Sequence, residues 1–259
     1  MTILFSDLAG FTAYSERYPP QELFALMSEY FARMTERIFA CEGMLNEYIG
    51  DELMAIFGAP LELADHAGRA RAAALEMKEH REKMSEEWLA IGRPRLAART
   101  GINSGVVLVG NLGTEYRYSY GVLGDNVNLA SRLEGLNKQF HTHILISEHT
   151  ADLTGDGFRL REVDIVRVVG KQRGTRIYEL LGHRDTSFPD GQEHALRCYA
   201  FALAAYRGQR WREAIDALRD GLARWPEDGP STVMLERCVM YLEAPPEGDW
   251  DGVFVATRK

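Results

Sequence analysis

Two short hydrophobic runs separated by a glycine and an aspartate constrain this chain more than any other feature. The runs cover residues 44–49 and 53–57, and the pair Gly50-Asp51 lies between them. Apolar runs of this length joined by a turn pair with glycine predict a β-hairpin. The hairpin requires antiparallel pairing, which argues against a fold built only from parallel strands. It also places the Asp51 carboxylate at the tip of a hydrophobic sheet, four residues after Glu47.

The segments around the hairpin mix strand and helix patterns. Residues 1–6 are typical of a strand, apolar spacings of three and four follow Pro19-Pro20, and a second helix is predicted over residues 66–88. A third helix is predicted to start near Asp125. Further strands are predicted over residues 96–102, 106–109, 116–123, 144–147, 158–169 and 176–181. This order predicts an α/β (α+β) fold with a mainly antiparallel sheet flanked by helices, and does not fit a Rossmann or barrel fold.

A change in composition near residues 183–191 predicts a domain boundary. The 259 residues suffice for one ordinary domain and a smaller unit. We therefore predict a main domain over residues 1–183 and a C-terminal helical extension over residues 184–259. The extension has three short helical patterns, and the spacing of Tyr206, Trp211 and Pro226 is similar to one tetratricopeptide-type repeat. Since one repeat cannot bury its own apolar face, it should pack on the main domain or on a partner chain.

The charge balance argues against several classes of partner. Thirty Lys and Arg residues stand against 38 Asp and Glu, a formal net charge of −8, so the overall charge attracts neither nucleic acid nor an anionic membrane surface. No run approaches the ~20 apolar residues of a membrane span, which predicts no membrane contact by this segment and a cytoplasmic location. Cys41, Cys198 and Cys238 lie in apolar contexts, which favours three buried thiols over disulfides.

Two carboxylates are candidate metal ligands. Asp7 directly follows the first strand pattern, and Asp51 lies at the hairpin tip. If the two strands are neighbours, both acids emerge at one edge of the sheet, where paired oxygens could hold Mg²⁺ or Mn²⁺. The alternative is that Asp7 caps a helix and Asp51 is an ordinary turn residue. The turn after Asp7, with Gly10 leading into a helix, favours the metal site because backbone N–H groups there bind phosphate oxygens beside a metal.

The helix near Asp125 carries a second candidate pair. Asn128 and Arg132 are four residues apart and so project from one helix face. An amide and a guanidinium there could orient a sugar and clamp a phosphoryl group, and the alternative is two ordinary surface residues. Three histidines, His141, His143 and His149, also lie close in sequence. Their spacing is more typical of surface polarity than of a metal site.

Four motifs together resemble the catalytic domain of class III nucleotidyl cyclases. They are ILFSDLAGFT, YIGDELMAIFG, RTGINSG and GVLGDNVNLASRLE, in this order, and the similarity covers residues 2–181. The resemblance implies a ferredoxin-like domain that acts as a homodimer with two composite active sites. It implies conversion of GTP or ATP into a cyclic nucleotide and pyrophosphate, in intracellular signal transduction. Because a core strand pattern begins at residue 1, we expect a piece of a longer protein. The tail, which ends in APPEGDWDGVF, resembles the end of bacterial cyclases and implies an upstream membrane-anchored sensor.

The resemblance also implies a role for each motif residue. In one chain, Asp7, Asp51 and the Leu8 carbonyl would hold two divalent ions, Mg²⁺ or Mn²⁺. In the other chain, Asn128 would orient the ribose and Arg132 would stabilise charge on the α-phosphate. The triphosphate would contact Ala9, Gly10, Phe11, Thr12 and Arg99. Val169 departs from the family, which often has Lys there, so Lys171 or Arg173 would replace this phosphate contact.

Glu47 and Gly121 predict which purine the site prefers. Relatives that make cyclic AMP typically carry Lys at the position of Glu47. A carboxylate only accepts hydrogen bonds, and guanine presents N1–H and N2–H₂ side by side. Gly121 offers adenine no side-chain acceptor and leaves room for the guanine O6 at the backbone N–H of Val122 or Leu123. We therefore predict a guanylate cyclase; the alternatives are an adenylate cyclase and a catalytically silent, nucleotide-sensing regulatory module.

Overall fold

An eight-stranded sheet forms the centre of the protein. The computed structural model describes residues 1–114, 116–153, 155–167, 174–246 and 250–255. The strands are β1 (Thr2–Leu8), β2 (Met44–Ile49), β3 (Glu52–Phe57), β4 (Ala98–Ser104), β5 (Leu108–Thr114), β6 (Arg117–Leu123), β7 (Ile144–Ser147), β8 (Phe158–Arg167), β9 (Thr175–His183) and β10 (Phe254–Val255). The large sheet has the order β10-β8-β9-β7-β4-β1-β3-β2, and β5 and β6 form a separate two-stranded ribbon.

Eight helices accompany these strands in the described ranges. They are α1 (Phe11–Arg17), α2 (Pro20–Ala40), α3 (His66–Ala90), α4 (Asp125–Phe140), α5 (Glu148–Asp152), α6 (Asp190–Arg207), α7 (Trp211–Arg224) and α8 (Gly229–Glu243). The double proline marks the start of α2, since proline is well tolerated in the first helical turn. The start of α3 is fixed by the Asp65 carboxylate, which accepts a hydrogen bond from the Gly68 N–H at 3.1 Å.

The sheet buries both of its faces. Along β1 and β3, Leu4, Leu53 and Phe57 pack among residues of α2 and α3. The alternate residues Ile3 and Ile56 pack on the opposite face, where Ala130 of α4 covers them. Side chains of a strand alternate between the two faces, so a sheet covered on both sides requires continuous apolar runs. This explains why β1 and β3 read as unbroken hydrophobic stretches.

The predicted fold class is confirmed. Among the described strands, β8–β9, β7–β9, β1–β4, β1–β3 and β2–β3 pair antiparallel, whereas β4–β7 and β8–β10 pair in parallel. The predicted hairpin is β2–β3. One predicted strand, 106–109, was misplaced: β5 begins at Leu108 and continues to Thr114 because it pairs with β6 outside the main sheet.

The C-terminal helices pack on the outer part of the sheet. Asp164 of β8 is buried and forms an ion pair with Arg237 of α8 at 2.5 Å. Arg161 of β8 pairs with Asp228 at 2.7 Å, and the Tyr199 hydroxyl donates to the Val163 carbonyl at 2.7 Å. The short strand β10 adds to the sheet edge beside β8. These contacts join the helices to the sheet, while the predicted boundary between residues 183 and 184 stays a prediction.

No helix in the described part of the chain is both long enough and apolar enough for a membrane crossing. The thiols of Cys41 and Cys238 are buried, as predicted. The prediction for Cys198 was wrong, because this residue is only half-buried on α6.

Candidate active site

The carboxyl groups of Asp7 and Asp51 lie together at one edge of the sheet. Strands β1 and β3 are antiparallel neighbours with Asp7 opposite Glu52, so the hairpin tip lies beside the end of β1. The two carboxyls lie close enough for the charge of Asp51 to act on Asp7. Burial, followed by the charge of Asp51, raises the pKa of Asp7 to about 6, although the Leu8 backbone and Arg99 oppose the shift. Two carboxyls this close repel each other when both are ionised, and a cation between them would remove that repulsion.

Two further carboxyls that sequence reasoning missed complete the cluster. Burial raises the pKa of Glu52 to about 7, and the charges of Asp7 and Asp51 add to the shift. Burial also raises the pKa of Glu134 on α4 to about 7, with Asp7 and Glu52 as the next causes. The Glu134 Oε1 atom is buried and has no hydrogen-bond partner among the described residues. The signal in the sequence was a glutamate next to Leu133 in the apolar stripe of the helix.

Within this cluster, the Asp7–Asp51 pair fits a hard divalent cation. Carboxylate oxygens are the ligands that Mg²⁺ and Mn²⁺ prefer, and clustered acids with raised pKa values release protons when a cation binds. Arg99 supplies a positive charge at the same place: it lies opposite Asp7 on β4 and opposes the pKa shifts of both Asp7 and Glu134. An arginine beside a cation site could contact the anionic group that the cation binds.

The predicted phosphate loop directly follows Asp7. Ala9 is fixed by the hydrogen bond from its N–H to the Ala97 carbonyl at 2.8 Å, and α1 begins after Gly10. Phe11 packs against the core beneath this turn. The side chain of Thr12 lies outside the described part of the chain, as do residues 168–173, which include Val169, Lys171 and Arg173.

Helix α4 lies directly on β4 and has a fixed position there. A Cβ atom on Gly101 would lie 2.2 Å from the Ala130 carbonyl oxygen and 2.2 Å from the Glu134 nitrogen, so only glycine permits this approach. The Asn103 amide donates to the Asn126 carbonyl at 2.8 Å, and the Asn137 amide donates to the Thr100 carbonyl at 3.0 Å. These contacts hold both ends of α4 against the strand.

The structure does not bring Asn128 and Arg132 to the carboxyl pair of the same chain. Asn128 is exposed and Arg132 is half-buried on α4. The charges that act most on Asp7 are those of Asp51 and Arg99, and Arg132 is not among them. Within the described residues, no hydrogen bond or ion pair joins the α4 pair to Asp7 or Asp51. Both side chains are therefore available to a molecule outside this chain.

Glu47 lies exposed on the edge strand β2. Its neighbour Tyr48 faces α2, where its hydroxyl lies 2.7 Å from the Thr35 hydroxyl oxygen. Since strand residues alternate, Glu47 faces the opposite side of the sheet, the side that carries Met54 and α4. No described side chain forms an ion pair with Glu47.

The β5–β6 ribbon carries the remaining predicted purine contacts. A Cβ atom on Gly121 would lie 2.2 Å from the Leu112 Cδ1 atom, so the ribbon leaves no room for a side chain at this position without moving Leu112. Val122 packs toward the core, whereas Leu123 is 51% exposed. Val106 and Leu108 are 91% and 71% exposed.

Comparison with known proteins decides the family. The family model described as "Adenylate and Guanylate cyclase catalytic domain" matches residues 1–182. The chain belongs to this family. The match thus spans strands β1 to β9, and the predicted ferredoxin-like class III fold is confirmed. Cyclases of this class are metal-dependent, which agrees with the carboxyl cluster.

Three relatives illustrate the similarity of the cyclase domain. It is 35% identical over 182 residues to adenylate cyclase 1 of Rhizobium meliloti, covering 70% of this chain and 27% of that protein. The crystal structure of the guanylyl cyclase Cya2 has a TM-score of 0.66 and 35% identity, covering 71% of this chain and 92% of that one. The crystal structure of the adenylyl cyclase CyaB from P. aeruginosa has a TM-score of 0.66 and 33% identity, covering 72% of this chain and 96% of that one. The chain spans about a quarter of the length of the curated relative.

Proposed function

We propose that this chain is a guanylate cyclase that converts GTP into 3′,5′-cyclic GMP and pyrophosphate. The observation that carries the proposal is the proximity of the Asp7 and Asp51 carboxyls in a cyclase domain, with Glu47 exposed on the neighbouring edge strand. In the reaction, the ribose 3′-oxygen attacks the α-phosphorus and the bond from that phosphorus to the bridging oxygen of pyrophosphate breaks. The 3′-hydroxyl proton leaves to solvent.

Asp7, Asp51 and the Leu8 carbonyl would hold two divalent metal ions, Mg²⁺ or Mn²⁺. When bound, such ions lower the pKa of the attacking hydroxyl and neutralise the leaving pyrophosphate. The turn from Ala9 to Thr12 would accept the triphosphate on its backbone N–H groups. Arg99, which lies opposite Asp7 on β4, would contact the same group.

Asn128 and Arg132 would act on a nucleotide held by a second copy of the chain. Two observations support this arrangement. The pair is accessible on α4 and makes no contact with its own carboxyl cluster in the described residues. The exposed apolar residues Val106, Leu108 and Leu123 lie on the ribbon and connections that flank α4, and they offer a surface for a homodimer. Asn128 would orient the ribose and Arg132 would stabilise charge that develops on the α-phosphate.

The preference for GTP rests on the hydrogen-bonding chemistry of Glu47. Its carboxylate can accept both the N1–H and the N2–H₂ of guanine, whereas adenine presents an unprotonated N1. An acceptor facing an acceptor in a desolvated pocket costs on the order of 1–3 kcal/mol, which corresponds to roughly ten- to hundredfold selectivity. Gly121 offers no acceptor for the adenine amino group, and the backbone N–H of Val122 or Leu123 could donate to guanine O6.

An adenylate cyclase is the second candidate. Similarity to the Rhizobium adenylate cyclase favours it, and the equal TM-scores with a guanylyl and an adenylyl cyclase do not discriminate. A silent nucleotide-sensing module is the third candidate.

The first test is an assay of purified chain with Mn²⁺ and GTP. The proposal predicts cyclic GMP and pyrophosphate in equal amounts, whereas nucleotide binding without pyrophosphate release would contradict it and support the silent module.

A further inference from the structure

Three side chains with different metal-binding atoms meet on the surface of the C-terminal helices. His194 and Cys198 lie four residues apart on α6, and Asp220 lies on α7. The His194 Nε2 atom is 2.7 Å from the Asp220 Oδ2 atom and 3.3 Å from the Cys198 Sγ atom. The Cys198 Sγ atom is 3.6 Å from the same Asp220 oxygen. No other group of three His, Cys, Asp or Glu side chains meets this closely in the described ranges.

A glycine next to Asp220 brings these side chains together. A Cβ atom on Gly221 would lie 3.1 Å from the Cys198 Cβ atom and 3.4 Å from the Ala195 Cα atom. The absence of a side chain at Gly221 therefore lets α7 approach α6 closely, which places Asp220 beside the His194–Cys198 face. The side chains of His194 and Asp220 are 28% and 56% exposed, so an ion could reach the cluster from solvent.

The chemistry and the spacing of the three atoms fit zinc. An imidazole nitrogen, a thiolate sulfur and a carboxylate oxygen are the ligand atoms that Zn²⁺ takes in proteins. Bond lengths of about 2.0–2.3 Å place the ligand atoms of a tetrahedral site roughly 3.3–3.7 Å apart. The two distances from sulfur already lie in this range, and only the hydrogen bond between His194 and Asp220 must lengthen.

We propose that His194, Cys198 and Asp220 bind one Zn²⁺ ion, with water as the fourth ligand. This site is separate from the carboxyl cluster of the cyclase domain, which has only oxygen ligands and suits harder cations. Binding replaces the thiol proton and the hydrogen bond between His194 and Asp220, so it releases a proton. The metal would link α6 to α7 at the surface.

The charges around Cys198 are compatible with a bound thiolate. Burial and the charge of Asp220 raise the pKa of Cys198, whereas Arg197 and Arg224 lower it. A cation bound to Asp220 cancels the effect of the Asp220 charge on the pKa of Cys198. The guanidinium groups of Arg197 and Arg224 already favour the anionic sulfur. The guanidinium groups would also repel a cation, so the three ligand atoms must supply the affinity.

The test is a Co²⁺ titration of the full chain, because Co²⁺ replaces Zn²⁺ and gives a thiolate-to-cobalt absorption band. The oxygen-only cluster at Asp7 and Asp51 cannot give this band, so the readout does not depend on the nucleotide site. We expect one thiolate-bound Co²⁺ per chain, displaced by Zn²⁺. Cys198→Ser should abolish the band, whereas Cys41→Ala should retain it because Cys41 is buried at the end of α2 in the core of the cyclase domain, not on α6 or α7.

His194→Gln and Asp220→Asn should each weaken Co²⁺ binding at least about tenfold, since even residues that only support a metal ligand contribute ~10–100-fold. Circular dichroism of each variant verifies that the helices remain folded. The proposal is overturned by any of three results: no thiolate band in the wild-type chain, a band that persists in Cys198→Ser, or unchanged affinity in both His194→Gln and Asp220→Asn.

Discussion

The Asp7 carboxyl group lies beside that of Asp51 at the end of the β1–β3 pair, close enough for the two charges to interact. Two ionised carboxylates this close repel each other and destabilise the folded chain. A cation bound between them removes the repulsion and stabilises the fold. The same two side chains therefore influence the stability of the fold, the affinity for metal and the rate of the reaction.

Loss of one member of the pair should abolish turnover without loss of the fold. We expect Asp51→Ala to lower cyclic nucleotide formation by more than about 100-fold, because metal ions supply several kcal/mol of charge stabilisation to such a reaction. The matched control is Asp156→Ala, which removes an exposed carboxylate whose ion pair with Arg184 lies at the surface. Retained activity in the Asp51 variant would refute the metal assignment.

The same pair gives a dependence of stability on pH in metal-free protein. The folded pKa of Asp7, about 6, lies above its ordinary value of 3.8, so the folded state binds more protons than the unfolded state between these values. Its contribution to the free energy of unfolding therefore falls as pH rises through this window and stays low at pH 8. The contributions of Glu52 and Glu134 to the free energy of unfolding also fall as pH rises, up to about pH 7.

The measurement compares thermal unfolding of wild type and Asp51→Asn in EDTA at pH 5 and pH 8. Asp51→Asn removes the repulsion, so it should raise Tm at pH 8 by about 2–4 °C for each kcal/mol of relief and flatten the pH dependence. Burial lowers the pKa values of His66 and His143, so their contribution to the free energy of unfolding rises with pH. This contribution is the same in wild type and Asp51→Asn. A pH dependence as steep in the variant as in wild type would contradict the coupling of Asp7 to Asp51.

Two inactive variants should complement each other if each site uses two chains. Asp7→Ala removes a metal ligand, and Arg132→Ala removes the cation on α4. A mixed dimer of these chains contains one site with all four residues intact, so a 1:1 mixture should recover about a quarter of wild-type activity when pairing is random. The control is each variant alone. No recovery in a mixture shown to contain the heterodimer would rule out the shared site.

The position of α4 depends on Gly101. Gly101→Val would push the helix away from β4, since the added atoms meet the backbone of Ala130 and Glu134. We expect a loss of more than about 2 kcal/mol in the free energy of unfolding, as for other overpacked core positions. Gly135→Ala is the matched control on the same helix, because no atom lies within 4 Å of its added Cβ. It should be neutral or stabilising by up to about 1 kcal/mol. Equal stability of the two variants would show that α4 is not held at Gly101.

Local patterns in the sequence predicted most of the fold and the centre of the site. The hairpin and the two acids at one sheet edge follow from short apolar runs and turn residues, which act over a few positions. Glu52 and Glu134 could not be assigned in this way, because their raised pKa values arise when α4 packs on β4 and buries them beside Asp7. The partial exposure of Cys198 likewise depends on how closely α7 approaches α6.

The ratio of kcat/KM for GTP to that for ATP, in wild type and in Glu47→Lys, measures the preference for GTP directly. Glu86→Lys, which reverses the charge of an exposed glutamate on α3, is the matched control. We predict that wild type prefers GTP by roughly ten- to hundredfold, that Glu47→Lys lowers this ratio at least about tenfold, and that Glu86→Lys leaves it unchanged. A wild-type preference for ATP, or a ratio that Glu47→Lys does not change, would rule out recognition of guanine by Glu47.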